Sequence, residues 1–179
     1  ANPRLGARTF QALRYRNYRY LWFGQIAHAF SLWMEQIARP ILVLELTGSA
    51  FHLGLILAAR TAPQLLVGVW AGVIADWYDR RRILLVSKSG AALVNFLLAA
   101  LVLTGRVELW HVYATTMLKG IFMALDQPAR QSLIPSVVPP DQITNAVALN
   151  SATMNTMRIV GAAAAGLMLA FVGIGWTFM

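Results

Sequence analysis

Apolar residues fill runs long enough to cross a bilayer, and polar residues gather at the breaks between them. A crossing helix needs roughly 20 predominantly apolar residues. On that rule the chain divides into about five spans and the start of a sixth, at about 20–46, 51–75, 83–103, 109–125 and 146–172. Thr47-Gly48-Ser49 closes the first span. The stretch 126–142 is polar, and its prolines, from Pro128 to Pro140, predict helix ends and a helix start rather than helix interior. After Gly173-Ile174-Gly175 only residues 176–179 remain, far short of a crossing. The expected fold class is therefore all-α integral membrane.

Composition sharpens this reading. Only 12% of residues are charged and 58% are hydrophobic, with a mean hydropathy of +0.58, whereas about a quarter of residues are charged in a soluble domain. The net charge of +8 comes largely from arginines at the predicted membrane edges, which points to anionic lipid headgroups and away from nucleic acid. The absence of cysteine removes disulfides, thiol nucleophiles and thiol-ligated metals. His28, His52 and His111 are too scattered for a metal site. No serine nucleophile has a suitable histidine and acid nearby, and no glycine-rich phosphate loop occurs, so no enzyme activity, cofactor or ATP-driven pumping is expected.

The arginines set the expected topology. Arg4, Arg8, Arg14, Arg16 and Arg19 precede the first span, Arg80, Arg81, Arg82 and Lys88 flank the third, and Arg130 follows the fourth. The opposite-side loops hold Arg106 alone. Basic loops stay in the cytoplasm, so the amino terminus is expected there, in a multi-pass protein of the cytoplasmic membrane. The opening residues are not a cleavable signal peptide, because the first apolar run is longer than a signal core. Two readings of the basic arm 1–19 fit equally: Phe10, Leu13, Tyr18 and Trp22 form an interfacial face, or the arm is solvated and only fixes topology.

The segment Gly72-x-x-x-Asp76-x-x-x-Arg80-Arg81-Arg82, between the second and third spans, resembles the signature loop of the major facilitator superfamily. Phe10-x-Ala12-Leu13-Arg14-x-Arg16-Asn17-Tyr18-Arg19-x-Leu21-Trp22-x-Gly24-Gln25 looks like the opening of its enterobactin-exporter-like branch, which includes drug exporters. Leu46-Thr47-Gly48-Ser49, Pro128-Ala129-Arg130-Gln131-Ser132-Leu133-Ile134-Pro135 and Asn145-Ala146-Val147-Ala148-Leu149 extend the resemblance over almost the whole chain. It implies an amino-terminal helical bundle at 20–179, with the carboxy-terminal bundle absent, and a substrate path between bundles near the bilayer midplane. It also implies that Gly72, Asp76, Asp79, Arg80, Arg81 and Arg82 gate the cytoplasmic side, with Asp126 and Arg130 in the same network. The alternative is that the arginines only enforce topology.

Departures from the family pattern matter too. Asp79 stands where the signature loop usually has glycine, and Trp77 where it has a basic residue. Thr116 replaces a frequent arginine of the fourth span, so no proton-relay role carries over from it, while Lys119 supplies a cation nearby. Ala162 stands where the exporter pattern has proline, which weakens the antiporter-type motif of the fifth span.

Ionisable residues inside spans cost roughly 2.5–3.5 kcal/mol each on insertion scales and usually face an interior or a watery cavity. Glu35 and Arg39 lie one helical turn apart, acid first, the better order for a pair. With Arg60 and Arg158 they are the candidate substrate or proton groups. Glu35 either titrates as cation substrates or protons arrive, or forms a permanent neutral pair with Arg39. An excess of cations would favour anionic or zwitterionic substrates such as catecholate siderophores, with lipophilic drugs also open. Gly68, Gly72, Gly161 and Gly166 suit close helix approach.

These features predict a secondary active transporter, a proton-coupled antiporter exporting small molecules by alternating access. Its partners would be a small-molecule substrate, the proton, the lipid bilayer, and either the missing carboxy-terminal half or a second copy. An importer is the alternative within the transporter class, and the alternative from another class is a half-length membrane protein that serves as an interaction or assembly subunit.

Overall fold

The computed structural model describes residues 10–178, except the side chains of Ala75 and Asp76. Five long helices form the bundle: α1 (Arg16–Thr47), α2 (Ala50–Trp77), α3 (Arg80–Leu103), α4 (Leu109–Val137) and α5 (Ile143–Phe171). A short α6 (Ile174–Thr177) follows, and 3₁₀ turns at Gln11–Arg14 and Pro140–Gln142 lead into α1 and α5. Among the described residues there is no strand.

The breaks are tight and have local causes. Gly48 ends α1 in the left-handed region at φ 61°, a conformation without steric cost only for glycine, and its N–H returns to the Leu44 carbonyl. Asp79 caps α3 by accepting a hydrogen bond from the Arg81 N–H at 2.9 Å. The Glu108 side chain and the His111 ring cap α4 reciprocally.

The fourth span differs from expectation. α4 continues to Val137 through Pro128 and Pro135 instead of ending near residue 125. Each proline withholds a donor from the carbonyl four residues back. The extra turns persist because their other face is buried. Ala129 packs with Ile83 and Leu84, and Ile134 packs with Ala12, Tyr18, Ala146 and Leu149. Pro40 and Pro63 likewise lie inside α1 and α2.

Among the described residues, three helical stretches, Ala50–Ile74, Arg80–Leu103 and Pro140–Phe171, are long and apolar enough to cross a membrane. α1 and α4 are as long, yet they carry the ionic groups Glu35, Arg39, Lys119, Asp126 and Arg130. Packing is correspondingly inverted relative to a soluble protein. Leu65, Leu66, Val69 and Trp70 of α2 and Leu85 and Val86 of α3 are exposed, while Glu35, Arg39, Lys119 and Asp126 are buried. α2 and α3 both pack along α4, and α1 packs along α5. One apolar cluster, including Ala38, Leu42, Val43, Leu98, Val112 and Phe178, closes one end of the bundle. The cluster around Tyr18 and Ile134 closes the other.

The segment before the first span joins this packing. Helix α1 already starts at Arg16, Tyr18 is buried and donates to the Ala146 carbonyl at 2.8 Å, and the Trp22 indole N–H donates to Thr153 Oγ1 at 2.7 Å. These two aromatics therefore face α5, and Phe10 remains exposed. Among the four glycines expected to bring helices together, Gly161 alone meets a neighbour. A Cβ there would lie 2.9 Å from Trp33 Cβ and 3.0 Å from the Phe30 carbonyl, whereas Gly68, Gly72 and Gly166 have nothing within 4 Å. Close approaches also occur at Gly90, against the Phe122 ring, at Gly175, against Leu103, and at Gly120, whose Cβ would lie 2.5 Å from the Arg60 carbonyl.

Candidate functional site

Residues recurring at alternating intervals of three and four share one helix face. On α1 such a stripe reads Gln25, His28, Leu32, Glu35, Arg39. On α4 it reads Val112, Thr116, Lys119, Met123, Asp126, Arg130. The two stripes, with Lys88 and Asn95 of α3, build a buried polar core in which each of two carboxylates is held between two cations.

At the first carboxylate, Arg39 donates to Glu35 Oε1 from Nε at 2.9 Å and from Nη2 at 2.6 Å. Lys119 forms an ion pair with Glu35 Oε2. The remaining donors of the two cations are also engaged. Arg39 Nη1 reaches Thr116 Oγ1 at 2.7 Å, Thr115 Oγ1 at 2.9 Å and the Val112 carbonyl at 3.2 Å, and Lys119 donates to Asn95 Oδ1 at 3.0 Å. A buried charge is tolerated only when paired and hydrogen-bonded in this way. At the second carboxylate, Asp126 pairs with Lys88 through Oδ1 and with Arg130 through Oδ2, both at 3.3 Å. Arg130 also reaches Asn150 Oδ1 at 3.2 Å, and Lys88 reaches Gln25 Oε1 at 3.5 Å.

Two cavities flank this core. The first, about 190 Å³, lies among α1, α2 and α4 and is lined by Glu35, Arg39, Arg60, Thr116 and Lys119 together with apolar Leu53, Ile56 and Leu57. The second, about 250 Å³, lies among α1, α3 and α4 and is lined by His28, Ser31, Lys88, Asn95 and again Lys119. Lys119 thus stands between the two spaces. A run of polar groups leads from Arg39 past Lys119 and His28 to Lys88 and Asp126.

Of the residues singled out from sequence, Glu35, Arg39 and Arg60 meet at the first cavity. Arg158 does not: it is exposed on α5, with its guanidinium 5.1 Å from the centre of the Trp33 ring. Asp126 and Arg130 pair with each other. In the signature loop, Arg80 Nη1 donates to the Ser132 carbonyl of α4 at 3.1 Å, Asp79 serves as helix cap, and Gly72, Arg81 and Arg82 are exposed. The Asp76 side chain lies outside the described residues. Sequence reasoning overlooked Lys88, Asn95, Thr116 and Gln25 as site residues and treated Lys119 only as a departure from a pattern. The three-and-four stripe along α4 is the signal that finds Lys119 and links it to Asp126.

An apolar exterior around an ion-paired interior bordered by cavities defines a polytopic membrane protein with a polar path through its helices. The chain matches the transmembrane secretion effector family over residues 7–179 and belongs to it, within the major facilitator superfamily. Its relatives are transporters. It is 35% identical over 150 residues to the staphyloferrin A transporter of Staphylococcus aureus, covering 82% of this chain and 37% of that protein. It is 25% identical over 164 residues to the enterobactin exporter of Shigella boydii, covering 90% and 39%. Against macrolide efflux protein A of Streptococcus pyogenes it is 24% identical over 159 residues, covering 87% and 39%. The chain therefore spans little more than a third of the length of these curated relatives. No solved structure matches it.

Proposed function

We propose that this chain is the amino-terminal bundle, residues 20–179, of a secondary active exporter of small molecules that works by alternating access and is coupled to protons. Five helices cross the cytoplasmic membrane, α6 begins a sixth, and the amino terminus is cytoplasmic. The observation that carries this reading is the Glu35–Arg39–Lys119 cluster beside a cavity. A carboxylate shared by two cations at membrane depth has a reason to be there if its partners exchange during transport. One cation can be released to solute or to the opposing bundle while the other holds the acid. A permanent packing element needs only one pair, and an apolar replacement would pack as well.

The gate has a separate basis. Arg80 links the start of α3 to the end of α4, and α3 packs along α4, which supports reading the signature loop and the Asp126–Arg130 cluster as one network. Asp76, at the end of α2, is the acid of this gate.

The test uses inverted membrane vesicles containing the full-length transporter, with an imposed pH gradient. Glu35→Gln is expected to abolish gradient-driven accumulation while leaving membrane insertion unchanged. Full gradient-driven export in that variant would refute proton coupling through Glu35. Asp76→Asn is expected to lower turnover without loss of protein from the membrane, and normal turnover would remove the gate argument.

A further inference from the structure

We infer that Arg60 is the anchor for a carboxylate of the transported solute, making the first cavity an anion subsite. This inference rests on the transporter reading and narrows it to organic anions bearing a carboxylate. The cavity is lined by three cations, Arg39, Arg60 and Lys119, and by one carboxylate, Glu35. Both oxygens of that carboxylate are already engaged, one by Arg39 and the other by Lys119. Neither oxygen of Glu35 comes within ion-pair distance of Arg60. Among the described residues no carboxylate lies within ion-pair distance of Arg60, and its guanidinium Nη2 approaches the thioether of Met123 at 3.4 Å, a weak acceptor.

The position of Arg60 is fixed independently of its charge. Its backbone carbonyl sits where a Cβ of Gly120 would otherwise be, at 2.5 Å, with Pro63 Cβ 3.6 Å from the same point. Glycine at 120 therefore lets α2 approach α4 at this turn, and the half-buried guanidinium lies along α4 at the cavity wall. A guanidinium presents five donors in a planar fork that matches a carboxylate two bonds at a time. Leu53, Ile56 and Leu57 give the cavity an apolar lining that suits the carbon skeleton beside the carboxylate. At about 190 Å³ the space takes one end of a solute, and the rest would extend beyond this bundle.

The experiment measures binding to the purified full-length transporter in lipid nanodiscs, using tricarballylate as the tricarboxylate probe and its neutral trimethyl ester as the control. Export of the same probe from loaded vesicles is followed in parallel. The expected result is saturable binding of the acid and not of the ester. Arg60→Gln should weaken it about 10- to 100-fold, Arg60→Lys by an intermediate factor, and Arg106→Gln, in a distant loop, not at all. Arg60→Lys keeps the charge at membrane depth and so tests the subsite even if the glutamine variant fails to insert. Equal binding of ester and acid, unchanged binding in both Arg60 variants, or an equal loss in Arg106→Gln would each overturn the inference. Arg60-dependent binding without any export would keep the subsite and sink the transporter reading. Export of other solutes by a protein that does not bind tricarballylate would do the reverse.

Discussion

Lys119 holds the centre of the polar core, because a single ammonium group meets Glu35 on α1 and Asn95 on α3 from its place on α4. Removing it leaves Glu35 with Arg39 alone and Asn95 without its donor. Breaking a buried ion pair by deleting one partner costs about 3–5 kcal/mol where no compensation exists, and here Arg39 remains to compensate. Lys119→Met is therefore expected to insert and fold with a small loss of thermal stability but to lose most transport, as read by vesicle efflux beside a melting curve. Wild-type efflux would reduce the cluster to a packing device. The Glu35–Arg39 pair was legible from its four-residue spacing. Its sharing with Lys119 was not, because the contact depends on how α1 and α4 are rotated against each other, which neither helix encodes alone.

At the scale of elements, small residues decide which helices touch. Gly120→Ala would drive a methyl group into the Arg60 backbone, and backbone cannot step aside as a flexible side chain can. Overpacking of this kind costs about 1–3 kcal/mol, so the variant should melt several degrees lower and also weaken solute binding by displacing Arg60. Gly166→Ala, with nothing within 4 Å, should melt no lower than the parent, and helix propensity favours alanine there. A large loss at Gly166 would show that its face is packed in the membrane. The prolines teach the complementary lesson. Pro128 and Pro135 read locally as helix ends, yet α4 passes through both because Ala129 and Ile134 are buried on its opposite face. Local chemistry gave the penalty correctly, and tertiary burial outweighed it.

For the whole molecule, the side on which each loop lies can be tested directly with single cysteines, because these residues contain none and any cysteine elsewhere in the full-length transporter is first replaced by serine. A single Arg106→Cys in the α3–α4 connection should react with an impermeant maleimide added to intact cells. Ser136→Cys, exposed near the end of α4, should react only after the membrane is opened. The opposite pattern would invert the proposed topology. The same scale accounts for the apolar exterior: Leu65, Leu66, Val69 and Trp70 have no protein neighbour to cover them, as befits helices that face hydrocarbon or another bundle.

The sequence by itself determined that this is a helical membrane protein of the transporter family, where its long helices begin to within about four residues, and that Glu35 and Arg39, and Asp126 and Arg130, stand one turn apart. Those properties follow from composition, hydrophobic run length, a local motif and the 3.6-residue turn, all of which act along the chain. Only the tertiary structure decided that Lys119 and Lys88 complete the two carboxylate clusters, that Arg60 faces the first cavity while Arg158 stacks on Trp33 outside it, and that α4 extends to Val137. These depend on the close approach of α2 to α4 at Gly120 and on the relative rotation of α1, α3 and α4. Contacts between residues dozens of positions apart are set by the mutual burial of helix faces, and that burial exists only once the bundle has assembled.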